Sequence, residues 1–524
     1  MRAEADQAQA AEAFGLLGLL DRGEAGRPPP YHGLAGAVWQ VLQARRAADS
    51  GSPETALAAL ALLDHRDLSI PAVVREAAAL YDRLGRPQPD GLIRAVAEVA
   101  AWERNRNPHL FQRARLKARL LSFLPEPEAA AVYATWLGHE RPPRCRRLPI
   151  VGLEAFLTET GGKIPLLPRK RFEIRDPMVH GATERRAWQV EGREIFAGMV
   201  RDAVVAHRSS FIEAADRLLL DVQGDELGAI DLIFGFDPIV LAAGRGFATC
   251  VKPPQPKTVE LAEAIHLAGA TSYAFGHWMG EYLLKLVGAV RAGVLPAAPV
   301  LIDAGMPPQH RRALELLGGS NLSLVEIPVG GEAHVGRLWV MSSWQYVPLC
   351  PAPRQDLSPL HLAAPPAECA DHMRWLAARA DMPPRPAGRL FLSRKPHQHR
   401  KLVNLARIEA IAREIGYRIV HMEDLPFEEQ VALVRSAEAI AGPEGSALTL
   451  ALFAREGTRV TILDHPFVEN LGCLTTVLEA LGLDCLMVAG WPVRVDQDYP
   501  RFSDYEIDED SFRRAAMREP GGPA

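Results

Sequence analysis

The chain has 524 residues, 48% of them hydrophobic, and a formal net charge of −5. At roughly 150 residues per domain, that length predicts about three to four domains with globular cores. The mild acidity gives no global reason to expect nucleic-acid binding. No window reaches about 18 uncharged apolar residues, so no membrane span is expected. Gly228–Val251 comes nearest, and Asp231, Asp237 and Arg245 interrupt it. The start, MRAEADQAQAAEAFG, lacks the basic-then-apolar order of a signal peptide. The six cysteines lie scattered without CxxC spacing, as expected of reduced thiols in a cytoplasmic protein.

Residues 1–140 are rich in Ala, Leu and Arg and read as a helical domain. Candidate helices are His32–Ala48, Pro53–Leu63, Pro71–Leu84, Asp90–Trp102, Leu110–Phe123 and Glu126–Leu137. Gly51-Ser52-Pro53 and Gly85-Arg86-Pro87 lie 34 residues apart, which is the tetratricopeptide period. Two readings stay open: a tetratricopeptide-like array that binds a partner protein, or a helical bundle that caps the rest. Pro142–Arg147 reads as a Pro/Arg linker, and Pro168–Arg175 is also basic. Such runs form solvated faces, or a peripheral contact with anionic lipid. Residues 148–260 read as a β-rich lead-in, with strands at Ile195–Val205 and Leu218–Val222.

Residues 261–385 return to alternation of helix and strand. A helix over Thr271–Val290 carries His277 and Glu281. Strands follow at Pro299–Asp303, Leu322–Ile327 and Arg337–Met341, with helices at Gln309–Leu317 and Cys369–Ala380. Residues 386–495 show the pattern more sharply. Strands are expected at Arg389–Ser393, Tyr417–Met422, Ala439–Ala441 and Thr458–Leu463. Helices are expected at Leu402–Ile415, Phe427–Ala437 and Ser446–Phe453. This alternation predicts an α/β fold with two nucleotide-binding-like, Rossmann-like lobes, each built on a parallel sheet. Parallel sheets bind ligands at the carboxyl ends of their strands. Polar residues gather there: Ser393-Arg394-Lys395, Glu423-Asp424 and the turn Gly442–Ala447. Residues 496–524 read as an acidic surface tail.

In combined order and spacing, these segments resemble glycosyltransferase family 61 over about residues 190–490. The resemblance rests on Ser393-Arg394, Arg400-Lys401, Asn404, Gly416-Tyr417, Glu423, Phe427–Gln430 and Ala437-Glu438. The turn Gly442-Pro443-Glu444-Gly445-Ser446-Ala447-Leu448-Thr449, Phe453, and Phe275-Gly276-His277-Trp278 with Glu281 and Leu283-Leu284 complete it. Glu444 stands where family members commonly carry His, and Lys285 where the helix motif carries Pro. The resemblance implies a GT-B pair of lobes, with residues 261–385 facing the acceptor and 386–495 the donor. It implies an inverting, metal-independent glycosyltransferase moving a sugar from a nucleotide-sugar to a hydroxyl of a saccharide or protein, as in bacterial surface polysaccharide synthesis.

The roles follow from the chemistry. A diphosphate leaving group gains charge in the transition state, and cations and backbone amides stabilise it. Arg394, Lys395 and Arg400 are the candidate cations. Gly442, Glu444, Gly445, Ser446 and Ala447 form the candidate donor turn, with Ser446 capping the helix that follows. Glu423 is placed to accept ribose or base hydrogen bonds. An inverting transferase needs a base on the acceptor side, and Glu281 or His277 supplies it from one helix face. Asn404 and Gln430 read as orienting or capping residues. No cofactor or metal is expected. Asp496-Gln497-Asp498 and Asp508-Glu509-Asp510 lack strand context, and a zinc site from His397, His399 and His421 is a loop coincidence. No Walker loop and no G-x-G-x-x-G is present, which argues against NTPases and dehydrogenases. The alternative is a catalytically inactive relative that acts as a scaffold through its helical array, motivated by Glu444. A third reading is a sugar-nucleotide epimerase or hydrolase.

Overall fold

The structure, a computed structural model, describes residues 34–63, 71–97, 144–224, 237–244, 246–252, 257–318, 322–344, 366, 368–379, 387–395, 400–465, 471–494 and 503–519. The chain divides into two compact units. One is Met1–Ile150 with Ile233–Gln255, and the other Val151–Leu232 with Pro256–Ala524.

In the first unit, helices Leu34–Asp49, Pro53–Leu60 and Pro71–Arg83 bury Val41, Ala44, Ala56, Leu60, Val73, Val74 and Ala77. Both glycine turns of the 34-residue echo are present. Gly51 (φ +76°) and Gly85 (φ +62°) adopt left-handed conformations that suit glycine. The expected helices Leu110–Phe123 and Glu126–Leu137 lie outside the described residues. The expected linker at Pro142–Arg147 is corrected: Arg144–Gly152 is a strand, antiparallel to Phe247–Lys252. A strand partner satisfies its backbone, and Arg147 stacks 3.5 Å over the Phe247 ring.

The second unit holds two sheets. Strands of the first are β1 (Lys163–Leu167), β2 (Ile195–Ala206), β3 (Ile212–Ala214), β4 (Arg217–Leu220), β5 (Thr258–His266), β6 (Val300–Asp303), β7 (Leu324–Ile327) and β8 (Glu332–Met341). Their order is β7-β6-β5-β8-β2-β3-β4, with β1 also paired to β2. The β7-β6-β5-β8 part is parallel, and β2 runs antiparallel to β8. Its parallel core fits the expected α/β alternation, and strands of the β-rich lead-in pair into the same sheet. The basic run Pro168–Arg175 forms one arm of a hairpin, Arg171–Arg175 with Ala187–Glu191.

The second sheet comprises β9 (Gly388–Leu392), β10 (Tyr417–Val420), β11 (Ala437–Pro443), β12 (Arg459–Asp464) and β13 (Asp484–Ala489). It is wholly parallel, ordered β10-β9-β11-β12-β13. Its strand interiors (Leu390, Phe391, Ile440, Ala441, Val460, Ile462) are fully buried, as expected for a sheet covered on both faces. The expected acidic tail is corrected over its described part. β14 (Trp491–Arg494) pairs with β15 (Asp504–Glu506), and helix Glu509–Met517 packs on the sheet with Tyr505 and Phe512 buried. Asp508 and Asp510 are exposed and Asp504, Glu506 and Glu509 half-buried, while Tyr505 and Phe512 anchor the segment.

One core joins the two sheets. Trp278, Leu283, Val287 and Met341 share it with Leu390, Val431, Ile440, Leu448 and Phe453. A close contact in it is at Gly288, where an added Cβ would come 2.6 Å from Nε1 of buried Trp344. Gly288→Ala is therefore expected to cost about 1–3 kcal/mol of stability from overpacking, read as a lowered denaturant midpoint at unchanged slope.

Candidate functional site

In a doubly wound sheet, the ligand crevice opens where adjacent strands send their connections in opposite directions. Here that point lies between β9 and β11, because the chain goes outward from β9 to β10 and then returns to β11. Ser393-Arg394 follows β9, and Glu444-Gly445 follows β11. The two meet: Arg394 Nη1 donates to the Glu444 carbonyl at 2.9 Å. A Cβ on Gly445 would come within 3.2 Å of the Arg394 Cζ, so only glycine lets the turn lie flat on the guanidinium. Gly442 has a different use from the one expected. Its missing Cβ makes room for the Leu392 carbonyl, 2.5 Å from where that carbon would sit, so it serves strand packing.

Arg400 enters the same place from the loop after β9. Its φ of +53° is left-handed, a conformation that an ordinary side chain holds only where surroundings impose it. Its guanidinium pairs with the Glu444 carboxylate. The Glu444 charge raises the Arg400 pKa against the cost of burial. Burial and the neighbouring Arg400 charge push Arg394 the other way, down. Among the described residues, Arg394 has no carboxylate at ion-pair distance. The Glu444 charge is thus spent locally on Arg400, and Arg394 is the guanidinium left without a carboxylate among the described residues.

Three residues of this cluster escaped the sequence reading. Asp464 ends β12 and is 1% exposed, with His465 and Tyr505 equally buried beside it. Burial, and then the Glu444 charge, push the Asp464 carboxyl well above the usual range. Burial and the Asp464 charge push the Tyr505 phenol up. Tyr505 donates to the Leu463 carbonyl at 3.0 Å and lies edge-on to the His465 ring at 5.6 Å. The signal for Asp464 was its place at a parallel strand's carboxyl end. Tyr505 sat in a stretch whose acidity hid it.

Other candidates lie away from this cluster. Lys395 pairs with Asp424 at the surface, both about half exposed. Glu423 is exposed on a single 3₁₀ turn, Met422–Asp424. Gln430 holds that turn through the Met422 and Leu425 carbonyls at 2.8 and 2.9 Å. Asn404 bonds both backbone groups of Ile507, at 2.8 and 3.3 Å, and so fixes the C-terminal segment. The α-helix expected at Ser446–Phe453 is a 3₁₀ helix. Ser446 does not cap it: Gly445 precedes it, without a side-chain bond. Ser446 is exposed and Ala447 half-buried at its start.

The residues expected on the acceptor side reach the same region from the first sheet. The expected helix Thr271–Val290 begins only at Phe275. It runs Phe275–His277, a π-helical turn Trp278–Tyr282, then Leu283–Ala292. π-turns are rare and recur at functional sites. Its start packs on the 3₁₀ helix. A Cβ on Gly276 would lie 3.3 Å from Thr449 Oγ1 and 3.5 Å from Ser446 Oγ. His277 Nδ1 is hydrogen-bonded to the Glu281 carboxylate. The Glu281 side chain is 11% exposed and that of His277 23%, so the ring is the outer member.

The ground beneath is rigid. Trp278, fully buried, stacks on His310 at 5.1 Å and Tyr282 at 5.7 Å. Burial pushes the His310 pKa down to about 4, against its bond to the Ser272 carbonyl, so the ring is neutral in the stack at pH 7. Asp303, at the end of β6, accepts from Ser272 Oγ (2.7 Å), Gly269 N (2.9 Å) and Arg208 N (2.6 Å). Lys285 pairs with Asp221 at 2.9 Å beside Arg193. Burial would raise the Asp221 carboxyl, but the Lys285 and Arg193 charges outweigh it and hold it well below the usual range. The residue at the family's Pro position thus anchors the helix.

Among the described residues, no group of three or more His, Cys, Asp or Glu side chains is arranged to hold a metal. Asp508 accepts from Ser511 N at 2.8 Å and caps the last helix. His397, His399, Asp496 and Asp498 lie outside the described residues. Among the described residues, no helix is long and apolar enough to cross a membrane.

A parallel sheet with cations at its switch point, and a His–Glu pair on a helix whose start packs beside the Gly445 turn, characterise an α/β protein. Residues 275–461 match the family model for glycosyltransferase 61, and over that span the chain carries a glycosyltransferase family 61 domain. The match covers both the His277 helix and the Arg394–Glu444 cluster. No curated protein matches the chain.

Proposed function

We propose that the protein transfers a sugar from a nucleotide-sugar to a hydroxyl acceptor by direct, inverting displacement without a metal. The observation that carries it is Arg394, lying on the Gly445 turn at the switch point with no carboxylate partner of its own among the described residues. A planar guanidinium there takes two diphosphate oxygens and stabilises the charge that grows as the bond to the sugar breaks. The acceptor's proton goes to His277 Nε2. Glu281 on Nδ1 fixes the tautomer and stabilises the imidazolium that forms.

The GT-B plan, with the first sheet toward the acceptor and the second toward the donor, belongs to this proposal. So do the domain division, a tetratricopeptide-like N-terminal array as protein-binding element, a cytoplasmic setting and an acceptor in surface polysaccharide synthesis. The inactive-scaffold alternative was motivated by Glu444, and Arg400 neutralises that residue. A thermal-shift screen across UDP-, GDP-, CMP- and dTDP-sugars tests the proposal, because a ligand that binds only the folded state raises its melting point. At least one donor is expected to stabilise the protein and to be turned over equally with and without EDTA. Turnover that EDTA abolishes would refute metal independence, and no stabilisation by any donor would refute the whole reading.

A further inference from the structure

The Arg394–Arg400–Glu444 cluster has a buried carboxyl neighbour, Asp464, that makes no ion pair among the described residues. Asp464 Oδ1 accepts from the His465 backbone N–H at 2.8 Å, while Oδ2 is buried with no hydrogen-bond partner among the described residues. An ionised carboxylate with one oxygen bare in a protein interior is costly. The two nearby guanidiniums do not relieve it. Arg400 is taken by Glu444, and Arg394 bonds the Glu444 carbonyl. The groups that face Asp464 are Arg394 from the end of β9, Arg400 from the following loop, Glu444 from the turn after β11 and Tyr505 from β15, with His465 its chain neighbour. The local charge therefore depends on one proton. With Asp464 neutral, two guanidiniums face one carboxylate and the cluster is positive. With Asp464 ionised, the charges cancel.

We propose that Asp464 is a positioning residue of the donor site, kept as the neutral acid beneath Arg394 and Arg400, so that the cluster retains the positive charge that binds a diphosphate. The inference rests on the donor reading above and adds to it a proton that the site must hold. Asp464 does not touch the ligand. It acts by staying uncharged, which leaves Arg394 without a carboxylate partner among the described residues and Arg400 paired with Glu444. Its raised pKa agrees in direction.

The sign of the pH dependence follows. A carboxyl that binds its proton more tightly when folded contributes stability that is fully present below its unfolded pKa. That stability is lost as pH rises through the raised folded value. Over the same rise, the site loses a unit of positive charge. Diphosphate affinity is thus expected to fall on the alkaline side in the wild type and to stay level in Asp464→Asn, whose side chain is neutral at every pH.

Three measurements on the full chain test this. Infrared difference spectra of wild type against D464N, without ligand, report a protonated carboxyl stretch near neutral pH, and its absence overturns the proposal. Calorimetry with inorganic pyrophosphate and with UDP, from about pH 6 to about pH 9, is expected to show wild-type affinity falling about tenfold relative to D464N, whose own affinity near pH 6 stays within about threefold of wild type. Parallel pH profiles for the two proteins overturn the proposal while leaving the donor reading intact. A wild type that binds neither probe at any pH overturns both. Thermal unfolding across the same range checks folding: D464N should gain on wild type as pH rises, and a variant destabilised equally at every pH counts against the proposal.

Discussion

Replacing His277 by asparagine is expected to lower donor turnover roughly 100- to 10,000-fold, the range in which a positioned general base contributes. Nucleoside-diphosphate affinity should stay within about threefold, since the proposed mechanism puts the ring on the acceptor side of the site. Glu281→Gln should fall in the same direction by a comparable or smaller factor. Its carboxylate is hydrogen-bonded to His277 Nδ1 and is the more buried member of the pair. A neutral amide there keeps the shape but not the charge that stabilises the imidazolium. The two effects should not add, because the residues act as a unit. Steady-state turnover and calorimetric affinity on the same preparations separate the cases. Equal losses in turnover and donor affinity would mean that the helix start has moved, and unchanged turnover in H277N would remove the ring from the chemistry.

Arg394→Ala is expected to weaken diphosphate binding by roughly 10- to 150-fold, as a charge-assisted bond of about 1.5–3 kcal/mol is lost. Lysine should not restore it, because a point charge cannot reproduce the planar fork or lie flat on the Gly445 turn. Arg400→Ala should act differently. It frees the Glu444 carboxylate, so the site loses a cation and gains an unpaired anion. The double variant R400A/E444Q should therefore bind diphosphate more tightly than R400A alone. If R394A binds pyrophosphate within about threefold of wild type, the anion site is elsewhere.

Much of the second sheet was legible because its strands are short apolar runs bounded by glycine turns. β9, β10, β11 and β12 were all foreseen within a few residues. The helix over Thr271–Val290 was legible as a helix but not as one interrupted by a π-turn, since an extra residue in one turn leaves the apolar periodicity almost unchanged. Lys395 and Arg400 were equal candidates by sequence. The fold separates them: one pairs with Asp424 at the surface, the other reaches the Glu444 turn by a left-handed backbone that no local pattern predicts.

Sequence by itself determined the α/β alternation, the parallel second sheet, the family resemblance and the pairing of His277 with Glu281 four residues on. Each depends on residues close in the chain, where side-chain period and turn chemistry are local properties. Only the tertiary structure decided that Arg394 lies against Gly445, that Glu444 is spent on Arg400, and that Asp464 and Tyr505 close the cluster from below. Those contacts join segments about 20 to 111 residues apart, as their numbering shows. Burial there sets which charges survive, and burial is a property of the packed chain.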